Sequence, residues 1–274
     1  MTRVITMSGE MAERRLTVGQ LIAGKGTRRF IQATAVGGQE AIACDAAGID
    51  MLSVGDGPAL DEIRRAAPTM YLSVALPLTR YASADEVMRA AMDALEHGAD
   101  SIYYCGPLAW VEHLAKADIP VMGHSGLVPR KSHWRGGLRA VGKSHKEAMQ
   151  IWQAVKNLEQ AGAFAVEFEA MPSVLTREIT RRTTLVTSSI GAGPDADIIY
   201  QFTEDVLGET PEPPRHARAY DDFQKRYVAL QDARITALQA FKADVDAGAY
   251  PSDAESIAMD DDDLAQFLDT IGRA

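Results

Sequence analysis

The stretch "KSHKEAMQIWQAVKNLEQAGAFAVEFEAM" (143–171) contains one complete helix–strand pair. Its first part carries apolar side chains at helical spacing: Ala148, Ile151, Trp152, Val155 and Leu158. This stripe predicts a helix over 143–162 with one face packed on a sheet. Gly162 closes the segment, and glycine readily adopts the left-handed conformation that ends a helix. The apolar segment 163–171 then predicts a strand.

Similar pairs lie on both sides of this stretch. Further strands are predicted at 28–36, 49–56, 69–77, 100–106, 119–125 and 183–191, and further helices at 39–48, 83–98 and 172–182. Alternating strands and helices require parallel pairing, and seven or eight such pairs in about 250 residues predict an α/β fold, a (β/α)₈ TIM-type barrel. A doubly wound sheet is the alternative, but no GxGxxG motif follows the first strand.

The pattern changes after Gly208, where "ETPEPPRHARAYDDF" (209–223) is a loop broken by prolines. A helix is predicted near 221–246, and "MDDDDLAQFLDTIG" (259–272) predicts a terminal helix capped by aspartates. We therefore expect a single domain over 1–274, with the barrel at about 20–208 and a C-terminal helical extension at about 209–274.

Composition excludes several classes of function. The formal net charge of −10 argues against binding to nucleic acids or membrane surfaces, which are themselves anionic. No apolar run is long enough for a transmembrane helix, and "MTRVITMSGEMAERR" (1–15) lacks the apolar segment of a signal peptide. The two cysteines, Cys44 and Cys105, do not have disulfide-framework or zinc-site spacing. These features predict a cytoplasmic protein.

In a TIM barrel the reactive groups come from the C-terminal ends of the strands. The predicted ends carry these polar residues: Thr34, Asp56, Tyr103, Cys105, His124, Glu167, Glu169, Ser188 and Ser189. Glu167 and Glu169 are two positions apart and face the same side of their strand. If that side is the barrel interior, the outer glutamate is poised as a general base or a ligand. The alternative is that one or both pair with arginines of the surrounding helices.

Two further segments each allow two interpretations. The turn "IGAGPDAD" (190–197) is typical of anion binding, or Asp195 and Asp197 cap a helix. The basic segment "RKSHWRGGLRAVGK" (130–143) either covers an anionic substrate or forms a solvated loop.

Several motifs, in this order, resemble one known family. They are "VGDG" (54–57), "IPVMGHSGLVPRKSHWRGGLRAVGK" (119–143), "LEQAGAFAVEFEAMPSVLTREIT" (158–180) and "IGAGPDADIIYQFTEDVLG" (190–208). They are similar to the motifs of the ketopantoate hydroxymethyltransferase family. The resemblance implies a (β/α)₈ barrel, commonly in a homo-oligomer. It also implies a divalent metal, Mg²⁺, that is chelated by a small 2-oxo acid, and a base that forms the enolate. If the parent reaction is kept, methylene-tetrahydrofolate is the one-carbon cosubstrate.

The resemblance also implies roles for individual residues. Asp56 matches a metal-ligand aspartate, Glu169 a glutamate that transfers protons, and His124 the histidine of a "GH" motif. Other positions differ from the family pattern. Gly57 replaces a serine that contacts substrate, and Ala75 replaces an aspartate. In "IYYCGP" (102–107), Tyr103 replaces a substrate-binding lysine and Cys105 a metal-ligand glutamate.

We accordingly predict three groups of site residues. Catalysis is assigned to Glu169, His124 and Cys105, substrate binding to Thr34, Gly57, Tyr103, Ser125 and Ser189, and metal binding to Asp56, with or without Cys105, His124 and Glu169. The four ligands together would suit Zn²⁺. Without a metal, Cys105 would act as an acid or nucleophile beside His124, or would merely fill the space of a lost ligand.

The predicted function is that of a divergent member of this family. It would perform enolate or carbon–carbon bond chemistry, by hydroxymethyl transfer or an aldol or lyase reaction, on a small 2-oxo or related carboxylic acid. The alternative is a barrel that binds a ligand without catalysis.

Overall fold

The computed structural model describes residues 1–272, which form two compact units. The first spans Met1–Asp221 and the second begins at Asp222. The first unit is built around a closed barrel of eight parallel strands. These strands are β3 (Phe30–Ala35), β4 (Met51–Gly55), β5 (Tyr71–Ala75), β6 (Ser101–Tyr103), β7 (Val121–Gly126), β8 (Ala165–Glu169), β9 (Val186–Ile190) and β10 (Ile198–Gln201). The predicted TIM-barrel fold is confirmed.

Eight helices accompany these strands among the described residues of the first unit. They are α1 (Val18–Gly24), α2 (Gly38–Ala46), α3 (Ala59–Ala66), α4 (Ala84–Glu96), α5 (Leu108–Ala115), α6 (His145–Gln160), α7 (Ser173–Thr180) and α8 (Thr203–Leu207). A 3₁₀ segment, Pro129–Arg135, follows β7. In α6, the residues Ile151, Val155 and Leu158 are buried, so the predicted apolar stripe does pack against the barrel.

Three strands lie outside the sequence predictions. The chain begins with an antiparallel hairpin of β1 (Thr2–Ile5) and β2 (Met11–Arg14). The last barrel strand, β10, follows β9 after a tight turn with no helix between them. Asp197, at the end of that turn, caps no helix. Its buried carboxylate accepts hydrogen bonds from Lys25 Nζ (3.1 Å), the amide of Gly26 (2.9 Å) and Thr187 Oγ1 (2.8 Å).

The interior of the barrel is layered because strand side chains alternate between the two faces of the sheet. A buried apolar floor contains Phe30, Met51, Tyr71, Met122, Ala165, Val186 and Ile198. Two positions further along the same strands lies a largely polar layer: Gln32, Ser53, Ser73, His124, Glu167, Ser188 and Tyr200. Two positions beyond that, the strands reach the C-terminal end of the barrel, here called the barrel mouth. Polar groups are thereby placed directly beneath an open end.

The second unit contains α9 (Phe223–Asp246) and α10 (Asp261–Ile271). Asp260 caps α10, its side chain accepting from the amide of Asp262, as the sequence predicts. Apart from Phe223 and Gln224, which are partly buried, the residues of this unit that the structure describes are exposed. Within residues 1–272, the helices lack either the length or the apolar character that spanning a membrane would require.

Candidate active site

A cavity of about 410 Å³ opens at the barrel mouth. Its polar lining comes from Thr34, Ser53, Tyr103, Cys105, His124, Arg130, Glu167, Glu169 and Tyr200. The remaining walls are mostly apolar and include Val36, Leu76, Pro77, Leu78, Val128, Ile190 and Phe202. A few polar groups therefore converge at one end of a mostly apolar cavity, an arrangement that is common in small-molecule binding sites.

The imidazole of His124 lies at the centre of the polar end, with its side chain only 2% exposed. Its Nε2 is 2.5 Å from the carbonyl oxygen of Leu127, so Nε2 carries a proton and donates it. Its Nδ1 is 2.7 Å from the hydroxyl of Tyr103, and that hydroxyl donates to Glu167 Oε1 at 3.1 Å. Glu167 Oε1 lies 3.4 Å from Nδ1, and Glu169 Oε2 lies 3.7 Å from Nε2. The ring is thus flanked by two carboxylates.

Those carboxylates determine the direction in which the pKa of the ring is shifted. Burial lowers the pKa of His124, but the hydrogen bond and charge of Glu167 and the charge of Glu169 outweigh it, so the pKa is raised. In the imidazolium form Nδ1–H donates to the oxygen of Tyr103, which in turn donates to Glu167. The three side chains therefore form one consistently oriented hydrogen-bond chain.

Glu169 stands above this chain, on the side of the cavity. Burial, together with the charge of Glu167, raises the pKa of Glu169 to about 7, although His124 opposes the shift. A carboxyl group with that pKa takes up and releases protons readily near neutral pH. Burial and the charge of Glu167 also raise the pKa of Tyr103 well above its usual value, so Tyr103 stays a hydrogen-bond donor.

Cys105 and Thr34 line the same cavity. Burial raises the pKa of the Cys105 thiol even though Lys131 opposes it, so the thiolate is scarce at neutral pH. The Thr34 hydroxyl donates to Glu204 Oε2 (3.1 Å) and accepts from the amide of Thr203 (2.7 Å). Thr34 thereby ties β3 to the start of α8.

Three other residues that the sequence suggests for substrate binding lie away from the cavity walls. Ser125 follows His124 and so faces the outer side of β7, where it is buried. Ser189 likewise faces outward, and its hydroxyl donates to the carbonyl oxygen of Gly193 at 2.7 Å. Gly57 is exposed beyond the end of β4.

Asp56 also lies outside the cavity walls. Its Oδ2 accepts from Arg80 Nη1 at 2.6 Å and from the hydroxyl of Tyr81 at 2.9 Å. Only 13% of the Asp56 side chain is exposed. Burial, together with the hydrogen bond to Asp56, raises the pKa of Tyr81 to about 12, so this hydroxyl remains protonated. The carboxylate of Asp56 is therefore already paired with a cation and a donor.

The described residues offer one group of side chains that could hold a metal ion. It consists of His124, Glu167 and Glu169, whose ligand atoms all lie within 4.8 Å of one another. Neither Asp56 nor Cys105 belongs to it. The structure therefore brings together His124 and Glu169 from the predicted metal set and adds Glu167. The two-residue spacing of the glutamates had indicated that Glu167 also faces inward.

The basic segment lies at the rim of the cavity. Arg130 contributes to the lining, with Nη1 3.4 Å from the hydroxyl of Thr79. Lys131 Nζ donates to the backbone carbonyl of Cys105 at 3.3 Å. Two cations of an acidic protein are thus held beside the opening, where they would attract an anion.

Comparisons with known proteins agree on one family. Residues 58–253 match the sequence profile of a family described as ketopantoate hydroxymethyltransferase. A Thermobifida fusca protein named 3-methyl-2-oxobutanoate hydroxymethyltransferase is 34% identical over 91% of this chain and 96% of its own. A protein of the same name from Thermus thermophilus is 32% identical over 88% and 99%. The chain also superimposes on the crystal structure of 2,3-dimethylmalate lyase, a PEP mutase/isocitrate lyase superfamily member, with a TM-score of 0.51 at 12% identity. The superposition covers 82% of this chain and 99% of that one, and it supports the fold alone.

Proposed function

Since the chain belongs to the ketopantoate hydroxymethyltransferase family, we propose that it is an enzyme that forms an enolate from a small carboxylic acid. The enolate would serve carbon–carbon bond chemistry, by hydroxymethyl transfer or by an aldol or lyase reaction. The observation that carries this proposal is the convergence of Glu169, Tyr103 and His124 on one cavity. Glu169 supplies the base and Tyr103 a hydrogen-bond donor, and His124 holds the Tyr103 hydroxyl in place.

Glu169 is the base in this proposal. Its carboxylate lies at the cavity, 3.7 Å from Nε2 of His124, and removes the proton from the carbon next to the substrate carbonyl. As the C–H bond breaks, negative charge develops on the carbonyl oxygen, and a preorganised donor at that oxygen lowers the barrier. If the parent reaction is kept, the enolate attacks the one-carbon unit of methylene-tetrahydrofolate.

The cavity favours a small 2-oxo or related acid with a short apolar chain. Its volume of about 410 Å³ suits such a molecule, and its walls are mostly apolar. Arg130 at the rim supplies a cation for a carboxylate. A homo-oligomeric state and a cytoplasmic location remain predictions from the sequence.

A barrel that binds a ligand without catalysis is the second candidate. The pairing of Asp56 with Arg80 favours it, because the residue that matches a family metal ligand is occupied. This candidate predicts ligand binding with no chemistry at the substrate carbon.

Proton exchange separates the two candidates. The protein is incubated with 3-methyl-2-oxobutanoate in deuterated water, and loss of the C3 proton is followed by proton NMR. We expect exchange with the wild-type protein and at least a 100-fold lower rate with Glu169→Gln, since the base is removed. Glu96→Gln, which changes an exposed glutamate on α4, is the matched control. Absence of exchange across a panel of 2-oxo acids, with or without added metal, would refute the enzyme proposal.

A further inference from the structure

The residues of this chain do not fit the divalent metal that the family resemblance implies. Mg²⁺ prefers carboxylates and water. The carboxylate of Asp56 is held by the guanidinium of Arg80 and the hydroxyl of Tyr81, and it lies outside the cavity walls. A metal at Asp56 would have to approach a carboxylate that already has a cation 2.6 Å away. Repulsion between the two cations opposes such binding.

The neighbouring strand ends supply no replacement. The register places Gly55 beside Ala75 and Ala75 beside Tyr103. The side chain of Ala75 has no ligand atom, and the hydroxyl of Tyr103 already donates to Glu167 at 3.1 Å. Cys105 offers a soft thiol, which is a poor ligand for a hard cation. Among the described residues at these strand ends, Gly55, Ala75 and Tyr103, none therefore offers a carboxylate.

A metal ion at His124, Glu167 and Glu169 would have to displace hydrogen bonds that the imidazole ring already makes. Both ring nitrogens of His124 already have partners, the carbonyl oxygen of Leu127 and the hydroxyl of Tyr103. The side chain is 2% exposed, so neither nitrogen faces the cavity freely. Binding a metal here would break one of two short hydrogen bonds and would require a neutral ring.

We propose that this protein activates its substrate without a divalent metal and that the hydroxyl of Tyr103 takes the metal's role at the carbonyl oxygen. His124 and Glu167 are positioning residues that hold the phenol in place. This inference rests on the proposed function and names the hydrogen-bond donor that stabilises the carbonyl oxygen in that same site.

The proton balance of the step is simple. The C–H bond beside the carbonyl breaks, and its proton goes to Glu169. The electron pair enters the new carbon–carbon double bond, and the carbonyl oxygen becomes the enolate oxygen. Tyr103 turns its O–H from Glu167 to this oxygen and keeps its proton. Return of a proton or deuteron from Glu169 to carbon restores the keto acid.

The first experiment concerns the metal. Full-length protein is treated with a chelator, its metal content is measured, and exchange into 3-methyl-2-oxobutanoate is compared with and without MgCl₂ or ZnCl₂. We expect rates within twofold of one another and no saturable heat when Mg²⁺ or Zn²⁺ alone is titrated into the protein. Stoichiometric binding, or a rate that falls tenfold on chelation and returns with metal, would overturn the inference and leave the proposed function standing. If no exchange occurs at all, the proposed function fails, and the titration still decides the metal question.

The second experiment concerns the phenol. Tyr103→Phe should lower the exchange rate by about 10²- to 10³-fold, the usual effect of losing one donor to a developing oxyanion. Tyr81→Phe is the matched control, because it removes a hydroxyl that binds Asp56 outside the cavity, and its rate should stay within threefold of wild type. A Tyr103→Phe variant that folds, by circular dichroism, and keeps its rate within threefold would refute the role of Tyr103. If that variant does not fold, the metal experiment alone still tests the inference.

Discussion

Glu169→Gln should make the protein more stable at pH 8 while removing its activity. The carboxyl group of Glu169 has a pKa of about 7 in the folded chain, against an ordinary value of 4.5. The folded state therefore holds this proton at pH values where the unfolded chain has released it. Between these two pKa values, stability falls as pH rises. Glutamine carries no such proton and avoids the loss.

The size of the effect follows from the two pKa values. Each pKa unit corresponds to 1.36 kcal/mol, so complete ionisation of Glu169 costs about 3 kcal/mol of folding free energy. Part of this cost is already present at pH 5. The stability difference between the variant and the wild type should therefore grow by about 2.5 kcal/mol between pH 5 and pH 8.

Urea unfolding followed by tryptophan fluorescence measures this difference. The three tryptophans, Trp110, Trp134 and Trp152, all lie in the first unit, so the signal reports the barrel. We expect a midpoint that is higher for the variant by on the order of 1 M at pH 8 and a much smaller gap at pH 5. Glu96→Gln, at an exposed position, should shift the midpoint equally little at both pH values. If the difference in urea midpoint does not grow with pH, or if the variant is less stable than the wild type at pH 8, Glu169 does not have a raised pKa in the folded protein.

Three further outcomes follow from particular contacts. The exchange rate should rise about tenfold per pH unit below pH 7 and level off above it, as Glu169 ionises, which a pH-rate profile measures. Asp197→Ala should destabilise the first unit by about 3 kcal/mol or more in urea unfolding, because it removes the acceptor to which Lys25 and several buried donors are hydrogen-bonded. Asp195 is partly exposed, and Asp195→Ala should change the free energy of unfolding by less than about 1 kcal/mol. Gly126→Ala should lower both the melting temperature and the exchange rate. The added Cβ would lie 2.4 Å from the carbonyl oxygen of Glu169, and the φ of +94° at this position strains any residue other than glycine. An unchanged exchange rate would show that the end of β8 tolerates displacement.

The barrel could be predicted because its signals are local. Several helix–strand pairs show their own periodicity and their own glycine stop, as in 143–171. The strand β10 has only four residues and directly follows a turn, so it lacks such a signal. Its place in the barrel is fixed by pairing with β3, which is far away in the sequence. The hairpin of β1 and β2 is equally short.

The site was predictable where strand geometry alone decides it. His124 and Glu169 stand at strand ends on the inner face, and the structure places both at the cavity. Side chains alternate between the two faces of a strand, so the same rule predicts that Ser125, next to the inward-facing His124, and Ser189, next to Ser188, face outward. The pairing of Asp56 with Arg80 and Tyr81 had no sequence signal, because loop conformation determines how far those side chains reach.

The seam between β10 and β3 has a consequence for how the chain is made. Lys25 and Asp197, which clasp that seam, are 172 residues apart in sequence. At ribosomal rates of 5–20 residues per second, β3 waits roughly 10 to 35 seconds for its last neighbour to be synthesised. During that interval the nascent sheet presents an unpaired, largely apolar edge. The barrel can therefore close only after Asp197 and the strand that follows it, β10, have been synthesised.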